Sequence, residues 1–287
     1  MINLEDLEFR KLDLTGLKIL VEWAKNEGWN PGPHDADVYW ATDSDGFYGY
    51  YLNSTLIAGG AIVSYNNEFG FMGLFIVKPE FRTKGIGRKL WHQRLNLLVN
   101  RINNNASIGM DGVVDMQDFY KKGGFEIVFK GKRYEKTGME FNLDPHIFTI
   151  KEDDFDKVLN YDKQCFGFSR PQFLNPWISL PDNKTFKYLE GNKLRGFVIA
   201  RKVSNGFKIG PLFADNNKVA EELYKACLNS VIGKPLYIDI PMVNQGAIQI
   251  VKQFNAKYVF ECARMYYGQP PKINIDKIYG ITTFELG

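Results

Sequence analysis

Among its 287 residues the chain has only three cysteines, Cys165, Cys227 and Cys262, and only three histidines. The cysteines lie far apart, form no C-x-x-C pair, and have no histidine at the spacing of a zinc ligand, so neither a disulfide framework nor a metal site is expected. Charge of one sign is also missing. Thirty-six Lys and Arg against 33 Asp and Glu leave a formal +3, scattered along the chain, which excludes the basic footprint of a nucleic-acid partner. No apolar run approaches the ~20 residues that span a bilayer, so no membrane association is expected. Residues 1–10 mix Glu and Asp with Leu, unlike a secretory or transit segment, and a cytoplasmic location follows as the expectation. Long polar low-complexity stretches are absent too. With 45% hydrophobic residues the chain is expected to fold throughout, and its length suits two domains of roughly 100–150 residues.

What is present begins with a helical pattern over residues 12–25, with Leu14, Leu17, Leu20, Val21 and Ala24 on one face and Gly28 as its stop. Two prolines and two glycines within Gly28-Trp29-Asn30-Pro31-Gly32-Pro33 then demand a loop, followed by a short helix over 35–41. Three antiparallel strands are predicted at 47–52, 56–65 and 69–77, separated by turns at Asn53-Ser54 and Asn66-Asn67. A helix with Leu90, Trp91, Leu95 and Leu98 on one face comes next. A strand at 106–111, a short helix at 114–122 and a strand at 125–134 follow, and Asp144-Pro145 closes the unit. The same scheme then recurs: a helix over 153–161, strands at 194–199 and 206–213, a helix at 217–230 and a strand at 236–240.

Between the third strand and its helix stands Arg82-Thr83-Lys84-Gly85-Ile86-Gly87, followed by Arg88. A glycine-rich turn that opens a helix aims unpaired N–H groups at one spot, where the helix dipole adds about half a positive charge. Such a spot binds phosphate, although these residues alone also fit an ordinary strand-to-helix turn. The pattern G-x-x-x-x-G-K-[ST] is absent, and G-x-G-x-x-G fails at Leu90. An antiparallel meander leading into the turn also argues against a doubly wound nucleotide fold. The second half lacks the turn, since Ala214-Asp215-Asn216-Asn217 runs directly into its helix.

The segment 82–87 meets the pattern [RQ]-x-x-G-x-[GA] after an apolar strand, and Tyr120-Lys121-Lys122-Gly123-Gly124-Phe125 places a tyrosine shortly before a Gly-Phe pair. On both motifs and the element order, residues 4–143 resemble the GCN5-related N-acetyltransferase (GNAT) superfamily. The remainder, through Lys208-Ile209-Gly210-Pro211-Leu212-Phe213-Ala214-Asp215 and Thr283-Phe284-Glu285-Leu286-Gly287, resembles the degenerate GNAT-like domain of a tandem subfamily. The resemblance implies an α/β (α+β) protein of two tandem domains, 1–145 and 146–287. Each would be a mixed, mostly antiparallel sheet flanked by helices.

It further implies an acyl-CoA, most simply acetyl-CoA, held by segment 82–87 and Arg88, with its pantetheine arm against the backbone of Ile76 and Val77. Tyr120 is the expected proton donor to the leaving thiolate. Glu68 and Asp111 are candidate bases, and Trp29, His34 and Asp35 candidate acceptor contacts. His92 and His146 are expected to serve structure or solvent. The second domain, whose Arg170, Phe168, Arg264, Tyr266 and Tyr267 look exposed, is expected to bind no CoA and to wall off the acceptor site. Three activities remain open: acetylation of a small-molecule amine or amino acid, acetylation of a protein lysine or N-terminus, and acyl-CoA sensing without turnover. A monomer and a homodimer both fit.

Overall fold

A computed structural model describes residues 3–287; Met1 and Ile2, within the expected domain 1–145, lie outside the described residues. The first half runs β1 (Glu8–Lys11), α1 (Leu14–Asn26), α2 (Asp35–Thr42), β2 (Phe47–Leu52), β3 (Thr55–Tyr65), β4 (Phe69–Val77), α3 (Ile86–Val99), β5 (Ser107–Val113), α4 (Gln117–Lys122) and β6 (Glu126–Thr137). The second half repeats this order element for element. It runs β7 (Ile147–Thr149), α5 (Phe155–Phe166), α6 (Pro171–Ile178), β8 (Lys184–Glu190), β9 (Lys193–Lys202), β10 (Phe207–Ala214), α7 (Asn217–Ser230), β11 (Pro235–Pro241), α8 (Gln245–Gln253) and β12 (Lys257–Tyr267). A last strand, β13 (Ile278–Gly280), has no counterpart among the described residues of the first half.

Local chemistry explains the elements that the sequence predicts. Asp13 caps α1 by accepting from the Gly16 N–H at 2.8 Å, and Leu17, Leu20, Val21 and Ala24 are its buried face. The turns at Asn53-Ser54 and Asn66-Asn67 take positive φ at both residues (49° and 63°, 52° and 61°), which asparagine tolerates and which matches the twist of the flanking strands.

The strands form one sheet in the order β1-β2-β3-β4-β5-β12-β6-β11-β10-β9-β8-β7, with β13 added beside β10. Exchanging each strand for its counterpart in the other half reverses this order into itself, so a pseudo-twofold axis passes between β6 and β12. The halves therefore trade strands. β12 pairs with β5 over residues 262–267 and with β6 on its other side, while β6 also pairs with β11. One apolar core joins α1 and α2 to α5 and α6, with Leu17, Leu20, Val158, Phe173 and Trp177 among its fully buried members.

Buried ion pairs cross the same boundary. Arg201 on β9 donates from Nε and Nη2 to the two oxygens of Asp35 at 2.9 and 3.0 Å, and both side chains are sealed from solvent. Burial pushes the Asp35 carboxyl up, but the Arg201 guanidinium and the Gly32 N–H outweigh it and hold the group below its usual range. Replacing Arg201 by Ala leaves that carboxylate buried and alone, and should cost about 3–5 kcal/mol of stability in urea unfolding. Because the folded pKa is depressed, the pair's contribution is present above the ordinary Asp value of about 4 and is lost as pH falls below it. Arg201→Ala should flatten that acid limb; an unchanged limb would show that other carboxylates carry it.

Candidate functional site

β4 and β5 start as parallel neighbours and then part. Their pairing joins residues 69–72 to 107–110 and stops there. At that point β4 carries a bulge, with Leu74 at a φ of 48°, so that Ala61 faces Gly73 while Gly59 faces Ile76. Beyond the bulge Ile76 and Val77 keep β3 on one side and, among the described residues, have no strand on the other. The gap opens into a cavity of about 580 Å³. At one end it is lined by Arg82, Thr83, Gly85, Gly87 and Arg88, along its length by Ile76, Val77 and Tyr120, and towards the second half by Trp29, Phe260, Cys262, Phe284 and Glu285.

The glycine turn is built as a cradle. Gly85 caps α3 with a φ of 82°, a conformation costly for residues bearing a Cβ, and the first N–H groups of α3 have no partner within the helix. Its side chains are less free than the sequence suggests. Arg82 donates from Nε to the Val77 carbonyl at 2.9 Å and pairs with Glu27, while Lys84 Nζ donates to the Glu80 carbonyl at 2.6 Å. Lys84 and Ile86 do not line the cavity, and the Ile86 side chain packs in the core against Leu7 and Tyr50. Arg88 is exposed and reaches the cavity.

Tyr120 lies on the cavity wall against the Trp91 ring, centroids 4.8 Å apart. Burial lifts its phenol to about 12, against the pull of Arg94, so the proton stays on oxygen throughout the neutral range. Arg94 is fully buried on α3 and donates from Nη2 to the carbonyls of Ala61 and Gly73, the latter at 3.0 Å. Its Nε and Nη1 find no acceptor among the described residues, and burial pulls the guanidinium down to about 9.

The other candidate residues separate. Trp29 and Asp111 line the cavity; Glu68, His34 and Asp35 do not. Glu68 is exposed on the hairpin before β4, at the end of that strand away from the cavity. Asp35 is committed to Arg201, and His34 begins α2 half-buried without a side-chain cap bond. Both Asp111 oxygens accept from Arg264, at 2.9 and 2.8 Å, and burial lifts the carboxyl above its ordinary value despite that partner. Arg170, Arg264 and Tyr266, which look exposed in the sequence, are buried, because β12 is an interior strand and Arg170 is locked onto Asp162. His92 is exposed on α3, and His146 stacks on Tyr188 while contacting Asp144.

Sequence reasoning missed the charged groups that surround the cavity. Arg133 on β6 donates to both oxygens of Asp239 at 2.7 and 2.8 Å and to the Trp29 carbonyl at 3.0 Å. Lys208 on β10 donates to the same carbonyl at 3.1 Å; burial, Arg133 and Arg201 together lower its ammonium to about 7. No local signal could have assembled these partners, since Arg133 and Asp239 are 106 residues apart.

The counterpart of the cavity in the second half is filled by the chain itself. β10 pairs with β11 over residues 207–209 and carries its own bulge, but β13 then lies against β10 at Leu212 and Phe213. At the start of α7, Asn216 accepts from the Val219 N–H, and Asp215 is held by Arg195, Lys277 and Tyr161.

Two family models match the chain: the acetyltransferase (GNAT) family over residues 14–125 and an acetyltransferase (GNAT) domain over 158–280. The chain belongs to the GCN5-related N-acetyltransferase superfamily, as a tandem protein with a degenerate second domain, and is an acetyltransferase of that type. It is 30% identical over 272 residues to the holothin acyltransferase of Pseudoalteromonas sp. (strain SANK 73390), covering 94% of this chain and 91% of the relative. A putative acetyltransferase from Pyrococcus horikoshii shares the fold with a TM-score of 0.84 at 23% identity, covering 100% of this chain and 98% of that one. A tandem GNAT protein from the clavulanic acid biosynthesis pathway superposes with a TM-score of 0.61 at 10% identity, over 93% and 99% of the two chains.

Cys262 lines the cavity, yet it and the other two cysteines are buried, and burial raises all three thiols. The native protein should therefore leave a chromogenic disulfide reagent unreduced over the minutes in which the urea-unfolded chain reacts at all three positions. Rapid reaction of one native thiol would place Cys262 in open contact with solvent.

Proposed function

We propose that this chain transfers an acetyl group from acetyl-CoA to the primary amine of a small molecule by direct attack. The observation that carries the reading is the parting of β4 from β5: an unpaired strand edge leads from a helix N-terminus into a cavity that the second half helps to line. The residues present suit the cosubstrate. Gly85, Gly87, Arg88 and the open N–H groups of α3 would hold its phosphates, and the backbone of Ile76 and Val77 its pantetheine arm. Bound there, acetyl-CoA supplies an activated acyl thioester. The phenol of Tyr120 would hand its proton to the departing sulfur, with the buried Arg94 cation nearby favouring negative charge at that point.

Of the two carboxylates the sequence nominates as bases, Glu68 is remote from the cavity and Asp111 has both oxygens engaged. The acceptor class rests on the wall that the second half supplies. Phe260, Phe284 and Glu285 wall the cavity where a protein acceptor would need an open groove, and one relative is named for acylating holothin. The domain ranges 1–145 and 146–287 fit a division of labour in which the second unit shapes the acceptor end.

Thiol release from acetyl-CoA, followed with holothin, benzylamine, an aliphatic amine, an amino acid and a lysine peptide, tests this reading. Turnover of a small amine and not of the peptide is expected, and Tyr120→Phe should lower kcat by about 100-fold with acetyl-CoA binding unchanged. Binding without turnover of any acceptor would leave a sensor. With the second splay filled by β13, calorimetric titration should give one acetyl-CoA per chain, and two would overturn this assignment.

A further inference from the structure

Segment 281–287 runs between the two halves and is held along its length. Arg170 donates to Thr282 Oγ1 at 2.8 Å and to the Gly287 carbonyl at 3.1 Å, and the Tyr65 hydroxyl donates to the Leu286 carbonyl at 2.8 Å. The Glu285 carbonyl rests on Gly73 at the bulge of β4, so closely that a Cβ there would lie 1.8 Å from it. The segment thereby brings Glu285, only 4% exposed, to the cavity wall.

Four carboxylates cluster here, and three are matched: Asp35 by Arg201, Asp239 by Arg133 and Asp111 by Arg264. Glu285 makes no ion pair among the described residues. Its Oε2 accepts from the Thr283 hydroxyl, while Oε1 accepts from none of the described residues and is not among the sealed polar atoms that lack a partner. A nearly buried carboxylate with one open oxygen on a cavity wall suits a cationic ligand, because an ionised acid in such surroundings needs a partner. Trp29, Phe260 and Phe284 on the same wall suit a flat apolar body.

We infer that Glu285 binds the ammonium of the acceptor and takes its proton, making it the acceptor-side base for a compact primary amine with a flat apolar body. The inference rests on the acetyl-transfer reading above. The protonated amine gives one proton to Glu285 Oε1 and attacks as the free amine. Its N–C bond forms as the thioester C–S bond breaks; Tyr120 gives its proton to sulfur, and the second surplus proton of the nitrogen restores the Tyr120 phenol. One proton is released to solvent per amide formed.

The test compares the full-length chain with Glu285→Gln and Glu285→Asp, using benzylamine, an ammonium at pH 7, and acetyl-CoA. Groups facing Glu285 are Tyr39 from α2, Asp111 from β5, Arg133 from β6, Arg201 from β9 and Lys208 from β10, all present in every variant. Glu285 itself helps to hold the Lys208 ammonium, so the full pH profile of the parent and of each variant is measured. Glu285→Gln should lower kcat/KM about 100-fold at pH 7, with the deficit shrinking as pH approaches the pKa of the ammonium. Acetyl-CoA binding by calorimetry should stay within twofold, and Glu285→Asp should recover part of the rate. Parent activity in Glu285→Gln, a deficit that is constant with pH, or equal loss in Glu285→Asp would overturn the role. A parent that acetylates the aliphatic amine or the lysine peptide but neither holothin nor benzylamine would overturn the acceptor class. A parent that releases no thiol with any amine refutes acetyl transfer itself.

Discussion

Strands β6 and β12 lie antiparallel at the centre of the sheet, and each is bordered on its outer side by a strand of the other half, β11 beside β6 and β5 beside β12. Neither half can complete its hydrogen-bond ladder alone. Strand groups left unpaired in a buried sheet cost free energy, so this exchange makes the halves one folding unit even though each repeats the same element order. A fragment ending near residue 145 would keep β6 but lose both strands that flank it.

The exchange also decides where the chemistry can sit. A parallel pair that parts after three or four residues creates a wedge, and the repeat creates it twice, after Met72 on β4 and after Ile209 on β10. In the second wedge β13 takes up the free edge of β10, and Asp215 puts a carboxylate near the helix that would otherwise receive phosphate. In the first, the edge of β4 stays open, and β12 and segment 281–287 only close its far end. The two halves thus differ in whether the chain fills its own splay and in whether a glycine turn opens the following helix, and both differences support a single site.

Legibility in the sequence followed the range of the interactions concerned. The hairpins at Asn53-Ser54 and Asn66-Asn67, the capped α1 and the glycine turn before α3 are set by residues within a few positions of one another, and all are where periodicity and turn chemistry predict them. Sequence patterns did not mark β1, β7, α6, β8, α8, β12 or β13. The cavity was legible on its β4 side and illegible opposite, where Phe260, Cys262, Phe284 and Glu285 arrive from across the pseudo-twofold. His34 and Asp35 looked like acceptor contacts because they share a loop with Trp29, yet Asp35 turns to Arg201 on β9, a partner 166 residues away that no local pattern announces.

Because the three Arg–Asp pairs neutralise one another, the field inside the cavity is set by the charges left over. In a medium of low effective dielectric these count for more than they would in water. Arg94 and Glu285 meet the bulge from different directions: one donates to the Gly73 carbonyl, and the backbone of the other rests on Gly73 where a side chain would be. The cation couples to Tyr120, where a thiolate would develop, and the carboxylate faces the wall supplied by the second half, where an ammonium would sit. The bulge in β4 therefore parts the sheet and also holds Arg94 and Glu285 apart. A side chain at position 73 would displace the segment carrying Glu285, so the glycine there serves the site as well as the strand.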